Sequence, residues 1–361
     1  MRDPLVTVFM PVHNRASLVR PAIESVLAQT FTDFELLVID DGSTDESLEV
    51  VRSVRDARLR LVVQESNRGT PKTRNHGLDL ARGRYLALLD SDDVALPRRL
   101  ERQVRFLDAR PDIAAVGSWA IGVSRAAGRA RTLLVRVTEP RAIRARIPFV
   151  SCFKNPTMMV RTEVLRGFRY REEFSVCQDI DVWARMSTRH ALANLPAFLV
   201  RYRGGGGSHA DLERTRRMRI LVIRDCLDQM DLSYSSDDLD RHERLRNTRG
   251  LRPNAEFLHD TRDWLEELVS ANRRAHAYPE PQFAEAAAER WMLVCLAALR
   301  ARVVPPKLSS RSPLGGQGAD VLRTYLRSAR DFWRGQTFGD EGASNAALEA
   351  GANETKEHLS E

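Results

Sequence analysis

Four short apolar runs, each followed by a polar turn and a helical pattern, restrict what the first 90 residues can fold into. They are "LVTVFMPV" (5–12), "FELLVID" (34–40), "LRLVVQE" (59–65) and "YLALLD" (85–90). Helical periodicity over 17–29, 41–54 and 70–83 separates them, with Ser43 and Thr44 placed to cap the second helix. Strands and helices alternating over connections this short make parallel βαβ units, with helices on both faces of the sheet. In such sheets ligands bind beyond the carboxyl ends of the strands.

Acids crowd at those ends. "VIDDGSTD" (38–45) sets Asp40 and Asp41 at the end of the second run, and "YLALLDSDDV" (85–94) sets Asp90, Asp92 and Asp93 after the fourth. Either cluster alone has a structural explanation. The first reads as an Asp-Gly turn into a capped helix, the second as a helix start capped by an aspartate. Asp93 suffices as that cap, which leaves Asp90 and Asp92 surplus. A hard divalent cation bridging them to a diphosphate would relieve their repulsion. Between the clusters, "NRGTPKTRNHG" (67–77) carries Arg74 and Asn75 where a helix meets the sheet.

The alternation loosens after about residue 100. A helix follows Pro97, a strand spans 113–123, and "NPTMMVRTEVL" (155–165) reads as a short strand entering a helix. Met158, Met159, Val160 and Trp183 suit a core better than a ligand-stacking surface. "QDIDVWARMS" (178–187) starts an amphipathic helix and "AFLVRYR" (197–203) is a last strand. The glycine run 204–207 has the composition of a mobile loop or of a flexible linker. Residues 211–232, 254–273, 284–302 and 317–335 are helical in period, and the chain turns small, polar and acidic from 339. The expected division is a catalytic domain over 1–210, a helical region over 211–338 and a disordered tail over 339–361.

A net charge of +7 comes almost wholly from arginine, with lysine only at 72, 154, 307 and 356. Such a surface suits nucleic acid, an anionic membrane face or a phosphorylated substrate. No basic stripe interleaved with aromatics is present, which argues against nucleic acid. Cys152, Cys177, Cys226 and Cys295 lie far apart, without the spacing of a disulfide framework or zinc site. No apolar run approaches the ~20 residues of a membrane span. The amino terminus turns polar too soon for a secretory signal. A cytoplasmic protein is expected.

Taken in order, three segments resemble a family 2 glycosyltransferase of the GT-A fold. They are "VFMPVHNRASLVRPAIESVLAQTFTDFELLVIDDGSTD", "NRGTPKTRNHGLDLARGRYLALLDSDDV" and "QDIDVWARM", and the likeness covers residues 5–203. The resemblance implies an α/β fold, a Rossmann-like and mostly parallel sheet with helices on both faces, followed by the helical region. It also implies that Pro11, His13 and Asn14, with Asp40 and Asp41, receive the base and ribose of a nucleotide. Arg74 and Asn75 would position the ribose and adjoining groups. Asp90-Ser91-Asp92 is similar to the D-x-D motif that holds the ribose and a Mg²⁺ or Mn²⁺ on the donor diphosphate. His209 resembles a histidine found late in such sites and joins Asp90 and Asp92 in the implied metal set. Asp179 resembles the catalytic aspartate, with Gln178 where a glutamate is often found and Asp181 in support or as a helix cap.

The reaction so implied moves a sugar, with inversion, from a UDP-, GDP- or dTDP-linked donor to a glycan, lipid-linked or small-molecule acceptor. Cell-surface polysaccharide or glycoconjugate assembly is the expected setting. A metal-dependent nucleotidyltransferase is the rival enzyme reading, but "PVHNRAS" lacks its glycine-rich, lysine-bearing phosphate loop. A non-catalytic basic binding protein is the rival of another kind. The carboxy-terminal helices are open to dimerisation, to contact with a membrane face, or to gripping an acceptor.

Overall fold

The computed structural model describes residues 3–123, 131–203, 212–248, 250–308 and 312–314. The first four apolar runs are strands β1 (Val6–Val12), β2 (Phe34–Asp40), β3 (Leu59–Val63) and β4 (Tyr85–Leu88). Helices α1 (Ala16–Leu27), α2 (Ser47–Ser53) and α3 (Thr70–Leu80) connect them. These strands lie in the order β3-β2-β1-β4, all parallel. Every residue of β2, and all of β1 except Pro11, is buried, as strands covered on both faces must be.

The pleat sorts their side chains into two layers. Val6, Val8, Met10, Leu36 and Val38 pack beneath Ile23 and Val26 of α1 and beneath α4 (Arg99–Ala109). Phe9, Leu37 and Ile39 face the opposite layer, with Leu78 of α3, Leu165 of α6 (Thr162–Phe168) and Val182 of α7 (Gln178–Met186). Gly77 is required in that layer, because a Cβ there would lie 2.4 Å from the Phe9 ring.

Beyond β4 the sheet turns mixed. It continues β8 (Met159–Arg161), β6 (Ile113–Val123), β9 (Ala191–Tyr202) and β5 (Val94–Ala95), with β7 (Arg131–Leu134) on β6. β8 runs antiparallel to both neighbours, whereas β6 and β9 are parallel with bulges between them. Arg99, fully buried, helps hold the change of direction. Its Nη2 donates to the carbonyls of Leu88 (2.7 Å) and Met158 (3.2 Å), and its Nε to Gln103.

Helix α5 (Pro140–Arg146) joins this sheet to the last four helices among the described residues, α8 (Leu212–Leu227), α9 (Ser236–Arg244), α10 (Ala255–Ala275) and α11 (Gln282–Arg300). Ala145 and Phe149 share a core with Ile223, Leu265, Phe283 and Trp291, while Val222 and Cys226 of α8 enter the core of the sheet. The helical region therefore packs on the sheet domain as one body. Among the described residues no helix is long and apolar enough to cross a membrane. All four cysteines are free thiols. The segments expected to form a glycine loop, a further helix over 317–335 and a polar tail lie outside the described residues.

Candidate active site

The carboxyl ends of β1 and β2 meet in a hydrogen-bonded turn. His13 Nδ1 donates to the Asp41 carbonyl (2.9 Å), and Asn14, at φ 52°, accepts the Thr44 N–H on its Oδ1 (2.8 Å). The Asn14 N–H in turn donates to Ser43 Oγ. Ser43 and Thr44 thus do not cap α2 as the sequence suggests. That helix begins at Ser47, whose N–H is taken by Asp45. Pro11 sits one pair before the end of β1, opposite Ile39.

Asp41 is buried and accepts the N–H groups of Arg68 (2.8 Å) and Gly69 (3.2 Å), which fastens the β3–α3 connection over the turn. Gly42 between them has φ +65°, and a Cβ there would lie 2.5 Å from the Asn67 nitrogen. Asp40 accepts the Ser43 N–H through Oδ2, but its buried Oδ1 has no partner. Asp41 is therefore tied up by backbone, while Asp40 keeps an open acceptor.

The second acidic cluster follows β4. Asp90 pairs with Arg74 of α3 at 3.3 Å, the arginine side chain 7% exposed and the carboxylate 32%. Arg74 also lies over the Tyr170 ring, 5.5 Å from its centroid, and its Nη1 is buried without a partner. Burial raises the Asp90 pKa; Arg74 opposes this, and the charges of Asp92 and Asp179 add to it. Burial works against the Arg74 charge, but Asp90, Tyr170 and Asp179 outweigh it and raise the guanidinium. Ser91 is buried beside them.

Two expectations change here. Asp93 caps no helix, since α4 starts six residues later without a side-chain cap. Instead its Oδ1 accepts the Arg203 N–H at 2.6 Å, and its Oδ2 is buried without a partner. Burial, with Asp90 nearby, pushes its carboxyl up to about 8. Asn75, expected to face a ligand, has both ends of its amide on the Tyr170 backbone, at 2.8 and 2.9 Å.

Cys177, in the left-handed region at φ 62°, turns the chain into α7 and so presents Asp179 in the first helical turn. Asp179 is half-buried and its charge acts on Asp90, Arg74, Tyr170 and Lys154. The structure thereby brings the D-x-D acids, Arg74 and Asp179 into one electrostatic cluster. Asp181, two residues on, is 1% exposed and pairs with Arg171 and Arg185, while Arg171 also reaches Asp225 of α8 (2.6 Å). It is a structural anchor and does not enter the cluster. Gln178 is buried with its Oε1 unpartnered. Trp183 is buried edge-on to Phe153, and Met158, Met159 and Val160 are core.

Sequence reasoning missed two side chains of the cluster. Lys154 Nζ lies 4.9 Å from the centroid of the Tyr202 ring, and burial pushes that phenol up to about 12 beside Asp93, Asp90, Asp179 and Asp92. Two signals were available for the lysine: its rarity in so arginine-rich a chain, and the family resemblance, which sets 151–165 near the acceptor. His209 lies outside the described residues. Among those described, no group of three or more His, Cys, Asp or Glu side chains is arranged to hold a metal by itself.

Comparison with known proteins agrees with this layout. The model of glycosyl transferase family 2 matches residues 7–169, a span that includes both acidic clusters and ends before α7. An uncharacterized glycosyltransferase of Methanocaldococcus jannaschii, MJ1057, is 29% identical over 208 residues, covering 56% of this chain and 72% of that protein. The fold is shared with S. aureus TarS 1-349, solved in complex with UDP-GlcNAc, at a TM-score of 0.54 and 20% identity over 89% of this chain and 91% of that one. It is shared also with the mannosyltransferase PcManGT from Pyrobaculum calidifontis, solved with GDP-Man and Mn²⁺, at a TM-score of 0.50 and 18% identity over 93% of this chain and 84% of that one. With its acids on the carboxyl edge of a GT-A sheet, the chain matches glycosyl transferase family 2 over residues 7–169, just under half its length.

Proposed function

We propose that the chain transfers a glycosyl group from a nucleoside-diphosphate sugar to an acceptor hydroxyl in one inverting displacement, with Asp179 as the base. The observation that carries this reading is the convergence of Arg74, Asp90 and Asp179 from α3, the β4 end and α7. Asp40 Oδ1 and Arg74 Nη1, buried without partners, suit the ribose and phosphate of a donor. His13, Asn14 and Asp41 shape the nucleotide end of the site through the turn they lock, and Asn75 acts by holding Tyr170 under Arg74.

Asp90 and Asp92 would hold a divalent cation, Mg²⁺ or Mn²⁺, through hard carboxylate oxygens. Two carboxylates with no complete protein cage fit an ion that takes its remaining ligands from substrate phosphates and water. When bound, it would supply Lewis-acid stabilisation to the leaving diphosphate. The donors in the two solved relatives, UDP-GlcNAc and GDP-Man with Mn²⁺, are in line with this class.

Asp179 takes the proton of the attacking hydroxyl, a role worth ~10²–10⁴-fold in rate. With a single base and no enzyme nucleophile, attack comes from the face opposite the diphosphate and inverts the anomeric carbon. On this reading 1–210 is the catalytic domain and 211–338 its support. The acceptor belongs to a polysaccharide or glycoconjugate assembled from the cytoplasmic side.

Calorimetry with UDP, GDP and dTDP, with and without Mn²⁺, tests the donor reading. At least one should bind only when metal is present, and indifference to all three sinks it. Asp179→Asn should keep nucleotide affinity while transfer or donor hydrolysis falls ~10²–10⁴-fold. Full activity in that variant removes Asp179 as the base.

A further inference from the structure

Most buried or half-buried cations of this chain have a visible partner. Arg74 faces Asp90, Arg146 faces Glu289, Arg171 and Arg185 share Asp181, and Arg99 is taken up by carbonyls. Lys154 and Arg136 differ. Among the described residues Lys154 has a ring beneath it, Tyr202, and no carboxylate within ion-pair distance. Arg136 donates through Nη1 to the adjacent Val135 carbonyl (2.9 Å), and its Nε is buried without a partner.

Both are held where they are by buried side chains. Asn194 of β9 donates through one Nδ2 to the Val137 carbonyl (2.8 Å) and the Cys152 carbonyl (3.1 Å), which clamps the two segments side by side. Thr157 Oγ1 donates to the Lys154 carbonyl (2.7 Å), and Trp119 Nε1 to the Arg136 carbonyl (2.9 Å). Two like charges carried on segments clamped side by side, and partly removed from water, are unfavourable unless an anion joins them. The strain registers on Lys154, whose pKa is lowered first by burial and then by Arg136, with Asp179 and Asp93 opposing.

We propose that Lys154 and Arg136 form an anion subsite that receives a phosphate or carboxylate of the acceptor, next to the hydroxyl that Asp179 deprotonates. This rests on the glycosyl-transfer reading above. The donor's own anionic groups have Arg74 and the D-x-D acids on the parallel half of the sheet. Lys154 and Arg136 come from the connections before β8 and after β7, on the mixed half. Asp179 acts on both Arg74 and Lys154, as a base between donor and acceptor must. The acceptor is accordingly an anionic glycan or a sugar phosphate ester, and a neutral sugar is a poor substitute.

Inorganic phosphate is the probe, titrated calorimetrically into the full chain, first alone and then with UDP or GDP and Mn²⁺ at saturation. Phosphate should bind in both states. Lys154→Gln and Arg136→Gln should each weaken it about tenfold, the effect of losing one charged hydrogen bond. Lys154→Arg should restore it, and Arg20→Gln, an exposed charge on α1, should leave it unchanged. Equal binding in wild type and both variants, or none at roughly tens of millimolar phosphate, overturns the subsite. Displacement of phosphate by the nucleotide, together with weaker nucleotide binding in Lys154→Gln, assigns these cations to the donor and overturns the acceptor role. Failure of every nucleotide to bind would instead sink the donor reading, and the phosphate titration would still decide whether the subsite exists.

Discussion

The sheet edge and the carboxy-terminal helices both bury polar groups, and they treat them in opposite ways. Between the helices, His242 is fully buried with both ring nitrogens engaged. Nε2 donates to the Pro148 carbonyl (3.0 Å), and Nδ1 accepts from Trp264 Nε1 (3.2 Å). Asn272 uses its whole amide on Tyr278 and Glu280, and the Tyr278 hydroxyl donates to the Cys226 carbonyl (2.8 Å). At the sheet edge, Asp40 Oδ1, Arg74 Nη1 and Asp93 Oδ2 are buried with nothing to bond. Thr261 Oγ1, Gln282 Oε1 and Arg219 Nε also lack partners in the helices, but the first two are neutral and the Arg219 guanidinium pairs with Glu243 through Nη2 (2.6 Å). A satisfied buried network stabilises a fold. Ionisable groups left open at one edge raise its energy until a ligand completes them.

The largest effect on stability should come from Asp181, which belongs with the helices in kind although it sits two residues from Asp179. Asp181→Asn leaves Arg185 and one contact of Arg171 uncompensated around a 1% exposed position. Breaking such a pair costs about 3–5 kcal/mol. Denaturant unfolding should show that loss, with turnover per folded molecule changed far less than in Asp179→Asn. If the two variants lose activity alike while Asp181→Asn keeps its stability, the division between anchor and site is wrong.

His242 gives the comparison a pH axis. Burial holds its pKa down at about 4, against an ordinary value near 6.5. The folded state thus keeps the ring neutral where the unfolded chain binds a proton. Its contribution is fully present above about pH 6.5 and is lost as pH falls toward 4, about 3 kcal/mol in all. His242→Phe should be less stable at pH 7, because Trp264 Nε1 and the Pro148 carbonyl lose their partner. Its thermal midpoint should then fall less steeply than wild type between pH 6.5 and 4. Parallel curves for the two proteins would show that this ring is not what titrates.

Asn75 tests a residue that the sequence places in the site and the structure places beside it. Asn75→Ala strips both hydrogen bonds from the buried Tyr170 backbone, and should cost about 2 kcal/mol. Donor affinity should weaken only as far as Tyr170 shifts under Arg74. A calorimetric loss of nucleotide binding with unchanged stability would return Asn75 to the ligand.

What could be read from sequence divides along the same line as the sheet. β1 and β2 announce themselves because a strand buried on both faces is apolar at every position, and acids at its end then stand out. Asp40 and Asp90 were legible for that reason, and Asp179 through the family resemblance of "QDID". Partners chosen across the fold were not. Asn75 and Tyr170 are 95 residues apart, and Asp93 meets Arg203 110 residues on, so neither pairing leaves a local pattern. Ser43 and Thr44 look like helix caps because cap chemistry is local, yet Asn14, at a positive φ, claims them first. Arg136 stood in no motif, and Lys154 lay in "SCFKNPTMMVRTEVL" (151–165), which the family resemblance sets near the acceptor without singling out the lysine; the clamp by Asn194 brings their segments together.

The smallest predicted effect tests whether the helices act on the site at all. Ser235 caps α9, the helix that carries His242: its hydroxyl accepts the Asp238 N–H, and the Asp238 carboxylate returns to the Ser235 N–H (2.9 Å). Ser235→Ala removes one half of that box and should cost about 1 kcal/mol. For a chain of this size the midpoint should fall by about 2 °C. Because the exposed first turn of α9 shares no hydrogen bond with the acidic cluster, turnover and nucleotide affinity should stay at wild-type values. A fall in turnover larger than the loss of folded protein would mean that α9 transmits its order to the sheet edge. The helices would then be part of the catalytic device, and the contrast between a satisfied scaffold and an open site would no longer divide the molecule.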